Sequence, residues 1–562
     1  MLLKCENHQY TLQNKMIKLT FDNEGRAKSL FYKGENLIEH LDGNVVDPDR
    51  HHSFYLDYHQ DLKSQSPHYT QVKVLEDSET CKHLAFMDDT SQLGLAYHII
   101  MRSEDAQLYG YVIAKNNSNR HFAINELRTV YRLDAALFPN SYTTARIGRQ
   151  PSSNYTNQFK KWQDETYEMP DGERYSNSKV YSKYDYADFF ADNPFWGFFG
   201  PKYGFWFVPN SKEYYPSGPL KQELMTHYDG ILLNYLNGAH LGTGDFHIEP
   251  GWEKFYGPWS IYINQGDLDH KLQDVTQYSQ AQQRLWPFDW VHDDQYPLER
   301  GTVYGKVMLD TGEKVKLKVV LSQGATTFDK SSGDYIYYAD TDEQGAFTIS
   351  NVRPGNYHLS AYVLEGSVTG TFTTEVVVKS GYQQLSDLTW KVPKERVLWQ
   401  LGTSNHTTVP FQFSKELRNS IWRKLTPSHL VYEIGISQSE QDWYCIQRAG
   451  GTWEIHFNWL GVQQPLDLVI ALAGASKQNA DHENDRGHGD PSIEVGINGN
   501  VQGQWTLLDD NAVYRNALKC GSYHSWRIHL APADLVKGTN VISFRVLNGY
   551  VMYDTVLLTS KL

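Results

Sequence analysis

A chain of 562 residues is too long for a single hydrophobic core, and domains of about 100–200 residues predict three or four units, one of them large. The formal net charge of −14 is spread along the chain rather than packed into acidic runs, which argues against nucleic acid and anionic membrane as partners and obliges any acidic substrate to meet a local basic site. Cys5, Cys81, Cys445 and Cys520 lie far apart and form no CxxC pair, so neither a zinc site nor a disulfide-dense scaffold is expected, with one or two disulfides left open.

The N-terminus, MLLKCENHQYTLQNK, has no apolar core of signal-peptide length, and no stretch approaches the ~20 apolar residues that span a bilayer. If Met1 is native, the expected compartment is the cytoplasm; the alternative is a secreted protein whose signal has been removed. From the N-terminus to about residue 288, short alternating strands are broken by Gly, Asn and Asp, as in Met16–Asp22 followed by Asn23-Glu-Gly25, the signature of an all-β sandwich. The best helix candidate, His270 to Leu285, lies where this first domain should end. Composition changes after Leu285-Trp-Pro-Phe-Asp-Trp290, and between Gly301 and Val392 turn residues alternate with strands of about five residues, a pattern like a fibronectin type III or prealbumin-like sandwich. From about Val397 to Leu562 the pattern reads as a jelly roll resembling a carbohydrate-binding module, with a loop rich in Asp, His and Gly from Asp481 to Asp490. The expected domains are 1–290, 291–393 and 394–562. The 15 Trp and 38 Tyr suit such sheets; flat rings commonly stack on sugars, although any single ring more often fills a sandwich core.

Between Glu126 and Asn264 unusual residues gather in loops and strand ends instead of alternating with a core pattern. Five segments stand out: Glu126-Leu-Arg128, Ser182-Lys-Tyr-Asp-Tyr186, Glu213-Tyr-Tyr-Pro-Ser-Gly-Pro-Leu-Lys-Gln222, Asn234-Tyr-Leu-Asn-Gly-Ala-His240 and Tyr256-Gly-Pro-Trp-Ser-Ile-Tyr-Ile-Asn264. In kind and order they resemble the motifs of the family 4 polysaccharide lyases, the rhamnogalacturonan lyases. That resemblance implies three β domains, the first a super-sandwich of the galactose-mutarotase type. It implies β-elimination at the α-1,4 bond between L-rhamnose and D-galacturonic acid of the rhamnogalacturonan I backbone, leaving a 4,5-unsaturated galacturonate end. The family's catalytic Lys and His match Lys183 and His240, its assisting Arg matches Arg128, and a cleft tyrosine matches Tyr235. A second tyrosine, expected two residues before Tyr235, is Leu233 here. The implied partner is rhamnogalacturonan I or its oligosaccharides, bound by a monomer; without a signal, cleavage of imported fragments inside the cell is the expected setting. A family-type structural calcium is possible, although no run has the ligand order of a calcium loop.

The chemistry asks for the same residue types. Removing H5 of a galacturonate creates a carbanion beside a carboxylate, which resists further negative charge unless a cation stabilises it, and Arg128 offers a bidentate fork for that purpose. No added metal is then expected to be required for turnover. Lys183 serves as base provided that burial or neighbouring positive charge makes its amine give up a proton readily. His240, titrating near neutrality, would protonate the departing rhamnosyl oxygen. The reverse assignment is left open, and His227 and His247 are rival histidines. Two other classes compete: a glycoside hydrolase using two of Asp185, Asp188 and Glu213, and a carbohydrate-binding protein without turnover.

Overall fold

The computed structural model describes residues 1–561 except 42–50, 104–105, 164, 171–179, 239, 242–243, 325–326, 331–332, 334, 416–421, 462–463 and 478–488. Most of the Asp481–Asp490 loop, residues 481–488, thus lies outside the described residues. Strands dominate, for the reason the alternation suggested: in Ile17–Asp22, Ile17, Leu19 and Phe21 are buried while Lys18 faces out. Gly25 closes the following turn at φ 67°, where an added Cβ would meet the Tyr69 ring at 2.8 Å.

Three large hydrophobic cores organise the described residues. The first lies between a nine-stranded sheet, with Glu253–Gln265 and Gln107–Asn116 near its middle, and a five-stranded sheet. The order of the smaller sheet is Thr226–His227, Ile231–Gly238, Glu126–Arg132, Tyr55–Gln60, Lys63–Gln65. Trp259 of the large sheet donates its indole N–H to the Tyr131 hydroxyl of the small one at 2.7 Å, so the polar tips of two buried rings satisfy each other. The helix Leu268–Leu285 starts at Asp267, whose carboxylate accepts the His270 N–H at 2.9 Å, and buries Val275 and Ser279. The segment after it is packed rather than free: Phe288, Val291 and Tyr296 share a core with Tyr109, Tyr111 and Phe255 of the first unit.

The second core gathers Val303, Val319, Phe347, Leu359 and Trp390. Its strand Gly301–Leu309 runs antiparallel to Ala346–Val352 and parallel to Gly381–Gln384 and Leu388–Trp390. The third, a pair of five-stranded sheets, packs around Trp443, Trp453, Ile470, Val495, Phe544 and Val556. All four cysteines are thiols, so the disulfides left open by the sequence do not form. Among the described residues no helix is long and apolar enough to cross a membrane.

Two of the contacts that join these units are a buried ion cluster and a shared core. Glu213, on a loop of the first, is 3% exposed; its carboxylate accepts from Arg300 at 2.6 and 3.3 Å, Arg353 at 3.0 Å and the Tyr337 hydroxyl at 2.5 Å. Burial alone would push this carboxyl up, but Arg353 and Arg300 outweigh it and hold the group below its ordinary range. The third core, for its part, takes in Ala187 and Leu241 from the first unit. Replacing Glu213 with Ala strands two buried guanidinium groups, and we expect it to cost about 3–5 kcal/mol, read as a lowered urea midpoint for the joint between the first two domains.

Candidate active site

The smaller sheet of the first domain builds the site by register. Arg128 lies directly opposite Asp57 on one neighbouring strand and opposite Tyr235 on the other, and Glu126, two residues before Arg128, pairs with His59 and Gly238. Side chains two apart share a face, so Asp57, His59, Glu126, Arg128 and Tyr235 converge. The pairing of Glu126–Arg132 with Ile231–Gly238 shifts between Leu127 and Arg128, a bulge that lies beside Arg128 in this sheet.

His240, 6% exposed, is clamped by two carboxylates: Nε2 lies 2.9 Å from Glu126 Oε1 and Nδ1 lies 2.8 Å from Glu223 Oε1. Ionised carboxylates only accept, so both ring nitrogens donate and the ring is an imidazolium. Burial pulls its pKa down, but Glu223 and Glu126 more than offset this and raise it above the ordinary histidine range. Glu126 responds in kind, burial being outweighed by His240 and Arg128, which hold its carboxyl well below the usual range. Glu223 is also held low, by His240 and by Lys221, whose ammonium lies 3.4 Å from it and donates to the Gly238 carbonyl at 2.8 Å. A side chain at position 238 would push on the clamp, since an added Cβ would sit 2.3 Å from Glu223 Oε2.

Lys183 opens a 3-10 turn, Lys183–Tyr186, rather than continuing a strand. The cause is local: the Ser182 hydroxyl accepts the Tyr184 N–H at 3.2 Å, and Asp185 accepts the Ser182 N–H at 3.3 Å. The strand that follows, Ala187–Phe189, pairs with Gln222–Leu224, setting Asp188 opposite Glu223 and tying the lysine turn to the histidine clamp. Tyr184 is the common wall: its ring centroid is 5.2 Å from Lys183 Nζ and 5.6 Å from the His240 ring. Glu165, at φ 42°, accepts from Tyr167 and Tyr228 hydroxyls at 2.6 Å each, and its carbonyl takes the Lys183 N–H at 3.0 Å. Burial would push the Glu165 carboxyl up; attraction to the Lys183 ammonium and the two phenols hold it below its ordinary range. Beyond Tyr228 a cavity of about 290 Å³ is lined by Arg149, Gln150, Tyr155 and His227.

Arg128, Tyr235 and His240 are thus brought together, with Lys183 joined to them through Tyr184, but two expected roles change. All five N–H donors of Arg128 are engaged: Asp57 at 2.7 and 3.1 Å, Glu126 at 3.0 Å, the Tyr235 hydroxyl at 2.8 Å and His59 at 3.4 Å. The fork expected to grip a substrate carboxylate is occupied by Asp57, because strand pairing sets that residue abreast of it. Tyr235, expected to line a cleft, is 1% exposed and packs edge-on against His240 with centroids 5.1 Å apart. Leu233, where a second tyrosine was expected, belongs to the first core. The rivals stand apart: His247 is exposed on the strand Phe246–Ile248, and His227 lines the cavity beside Tyr228.

The carboxylates available to a hydrolase are committed. Glu213 joins two domains, Asp185 caps the lysine turn, and Asp188 accepts the Ala145 N–H at 3.1 Å and its neighbour's N–H at 2.8 Å. Asp57, His59, Glu223, Glu165 and Arg515 were not singled out from the sequence. Asp57 and His59 alternate as polar residues in the otherwise apolar Tyr55-Leu-Asp-Tyr-His59, a period-2 signal that could have been read. Arg515, from the third domain, donates Nε–H to the Tyr184 hydroxyl at 3.0 Å and had no local signal.

Comparison with known proteins bears on this arrangement from outside the site. Residues 310–385 match the model of polysaccharide lyase family 4, domain II, and residues 397–558 that of polysaccharide lyase family 4, domain III. A rhamnogalacturonate lyase of Dickeya dadantii is 37% identical over 99% of this chain and 94% of its own. A probable rhamnogalacturonate lyase B of Aspergillus flavus is 25% identical over 98% of this chain and 94% of its own. With near-complete coverage in both directions and two of its three domains matched, the chain belongs to polysaccharide lyase family 4.

Proposed function

We propose that the chain is a rhamnogalacturonan lyase in which Lys183 is the base and His240 the acid. Family membership supplies the reaction class, and the double carboxylate clamp on His240 carries the assignment of roles. A ring that Glu126 and Glu223 keep protonated is a proton donor, which favours His240 as the acid over the reverse order. The Lys183 amine takes H5 of a galacturonate, the electron pair forms the C4=C5 double bond, and the C4–O4 bond breaks. One imidazolium proton goes to the departing rhamnosyl oxygen, which must take the place of a clamping carboxylate as its acceptor. No water is consumed, and the product carries a 4,5-unsaturated uronate end.

His240 and Arg515 gather positive charge around Tyr184 beside the Lys183 amine, giving a net acidic chain the local basic site that an anionic polymer needs. Arg128 serves this chemistry indirectly, by fixing Glu126 and Tyr235 against His240. With those charges in place we expect turnover without added metal; activity lost in chelator and restored by calcium would overturn that point.

The direct test follows the near-ultraviolet absorbance of the conjugated double bond with rhamnogalacturonan I and with homogalacturonan. Absorbance should rise on rhamnogalacturonan I alone, and Lys183→Ala and His240→Ala should each lower kcat by about 100-fold or more. Sugar binding without absorbance change would point instead to a binding protein.

A second test is the pH profile. Because its carboxylate clamp raises the His240 pKa, the acid form survives above the ordinary imidazole range and activity is lost as pH rises through the raised value. Removing one negative neighbour with Glu223→Gln should move that alkaline limb to lower pH; an unmoved limb would mean that another group is the acid.

A further inference from the structure

We infer that the third domain completes the active site, with Arg515 as the positioning residue that holds Tyr184 and the His240 loop in place. This deepens the lyase reading and rests on it. Arg515 ends the short turn Val513–Arg515, some 330 residues along the chain from the tyrosine it touches. Its Nε–H binds the Tyr184 hydroxyl at 3.0 Å, its guanidinium lies 5.4 Å from that ring's centroid, and one terminal N–H reaches the His240 carbonyl at 3.5 Å. One side chain therefore grips the wall between Lys183 and His240 and the backbone of His240 itself.

The arm that carries Arg515 is built rigidly. Buried Asp510 accepts backbone N–H groups of Ala475, Ala512 and Ser522, each at 2.9 Å, and the Ser476 hydroxyl at 2.7 Å. Asn516, just beyond Arg515, sits at φ 59° and accepts the Trp422 indole N–H at 3.1 Å. The same loop reaches the first domain again where Gln222 donates to the Cys520 carbonyl at 3.1 Å, one residue before Glu223 of the clamp.

Packing supports the same conclusion independently. Ala187 follows the Lys183 turn directly and Leu241 follows His240, and both are buried in the core of the third domain. Each catalytic segment therefore ends in a residue anchored in the core of that domain, and a catalytic group displaced by about 1 Å loses rate of order 100-fold.

The experiment uses the full chain with Arg515→Ala, Arg515→Lys, Tyr184→Phe and the double variant Arg515→Ala/Tyr184→Phe, assayed for elimination on rhamnogalacturonan I. Arg515→Ala should lower kcat by about 10- to 100-fold with KM changed less than about threefold, since a positioning contact acts on the transition state rather than on ground-state binding. Arg515→Lys, or guanidinium ion added to Arg515→Ala, should restore part of kcat, and the double variant should be no slower than Arg515→Ala alone. Wild-type kcat in Arg515→Ala would overturn the role. So would a loss that follows the thermal unfolding midpoint and resists guanidinium, since that is the mark of a merely structural residue. Absence of product from the wild-type chain would instead sink the elimination reading, and this role with it.

Discussion

A protonated histidine held between two buried carboxylates is the constraint around which the first domain is arranged. Glu126 reaches His240 from one strand and Glu223 from another, and neither could be buried uncompensated. The cluster balances itself: Asp57, Glu126 and Glu223 are set against Arg128, Lys221 and the imidazolium. Removing any member strands a charge in a medium that solvates it poorly, so the geometry tolerates little drift. Glycine at 238, the bulge beside Arg128 and the edge-on Tyr235 ring are all consequences of fitting that cluster under one sheet.

Polar contacts between domains follow the same logic. Glu213 could have been a catalytic carboxylate, but two guanidinium groups and a phenol from beyond the first domain consume it. It becomes a weld instead, and the choice between hydrolase and lyase chemistry turns partly on this fact. A hydrolase needs two carboxylates facing a scissile bond, whereas the available ones are hydrogen-bonded within the fold. The buried carboxylates nearest the site serve to charge a histidine, which suits proton delivery to a leaving group.

Overall charge and local charge work in opposite directions here. The chain is net acidic, yet Lys183, His240 and Arg515 meet around a single tyrosine ring. Interactions between exposed charges are screened beyond about a Debye length, ~8 Å at physiological ionic strength, so an anionic group that approached Lys183 and His240 would sense those neighbours more than the distant surface. Arg515 comes from the third domain, so the jelly roll contributes a cation beside Tyr184.

The sequence by itself determined the three β units, the helix after the first and the order of the motifs, because period-2 alternation, turn residues and capping chemistry are local. The Ser182-to-Asp185 capping box, which turns Lys183 out of its strand, is equally local, but the structure revealed it. Lys183, His240, Arg128 and Tyr235 could be named from the resemblance of their segments to a family. What those residues touch was decided only in three dimensions. Arg128 meets Asp57 and Tyr235 across 71 and 107 residues, and Tyr184 meets Arg515 across 331. Strand pairing and domain docking have no signature in the intervening sequence, since register is settled by the burial of whole faces at once. That is why the sequence could suggest a fork for the substrate while the fold had already given that fork to Asp57.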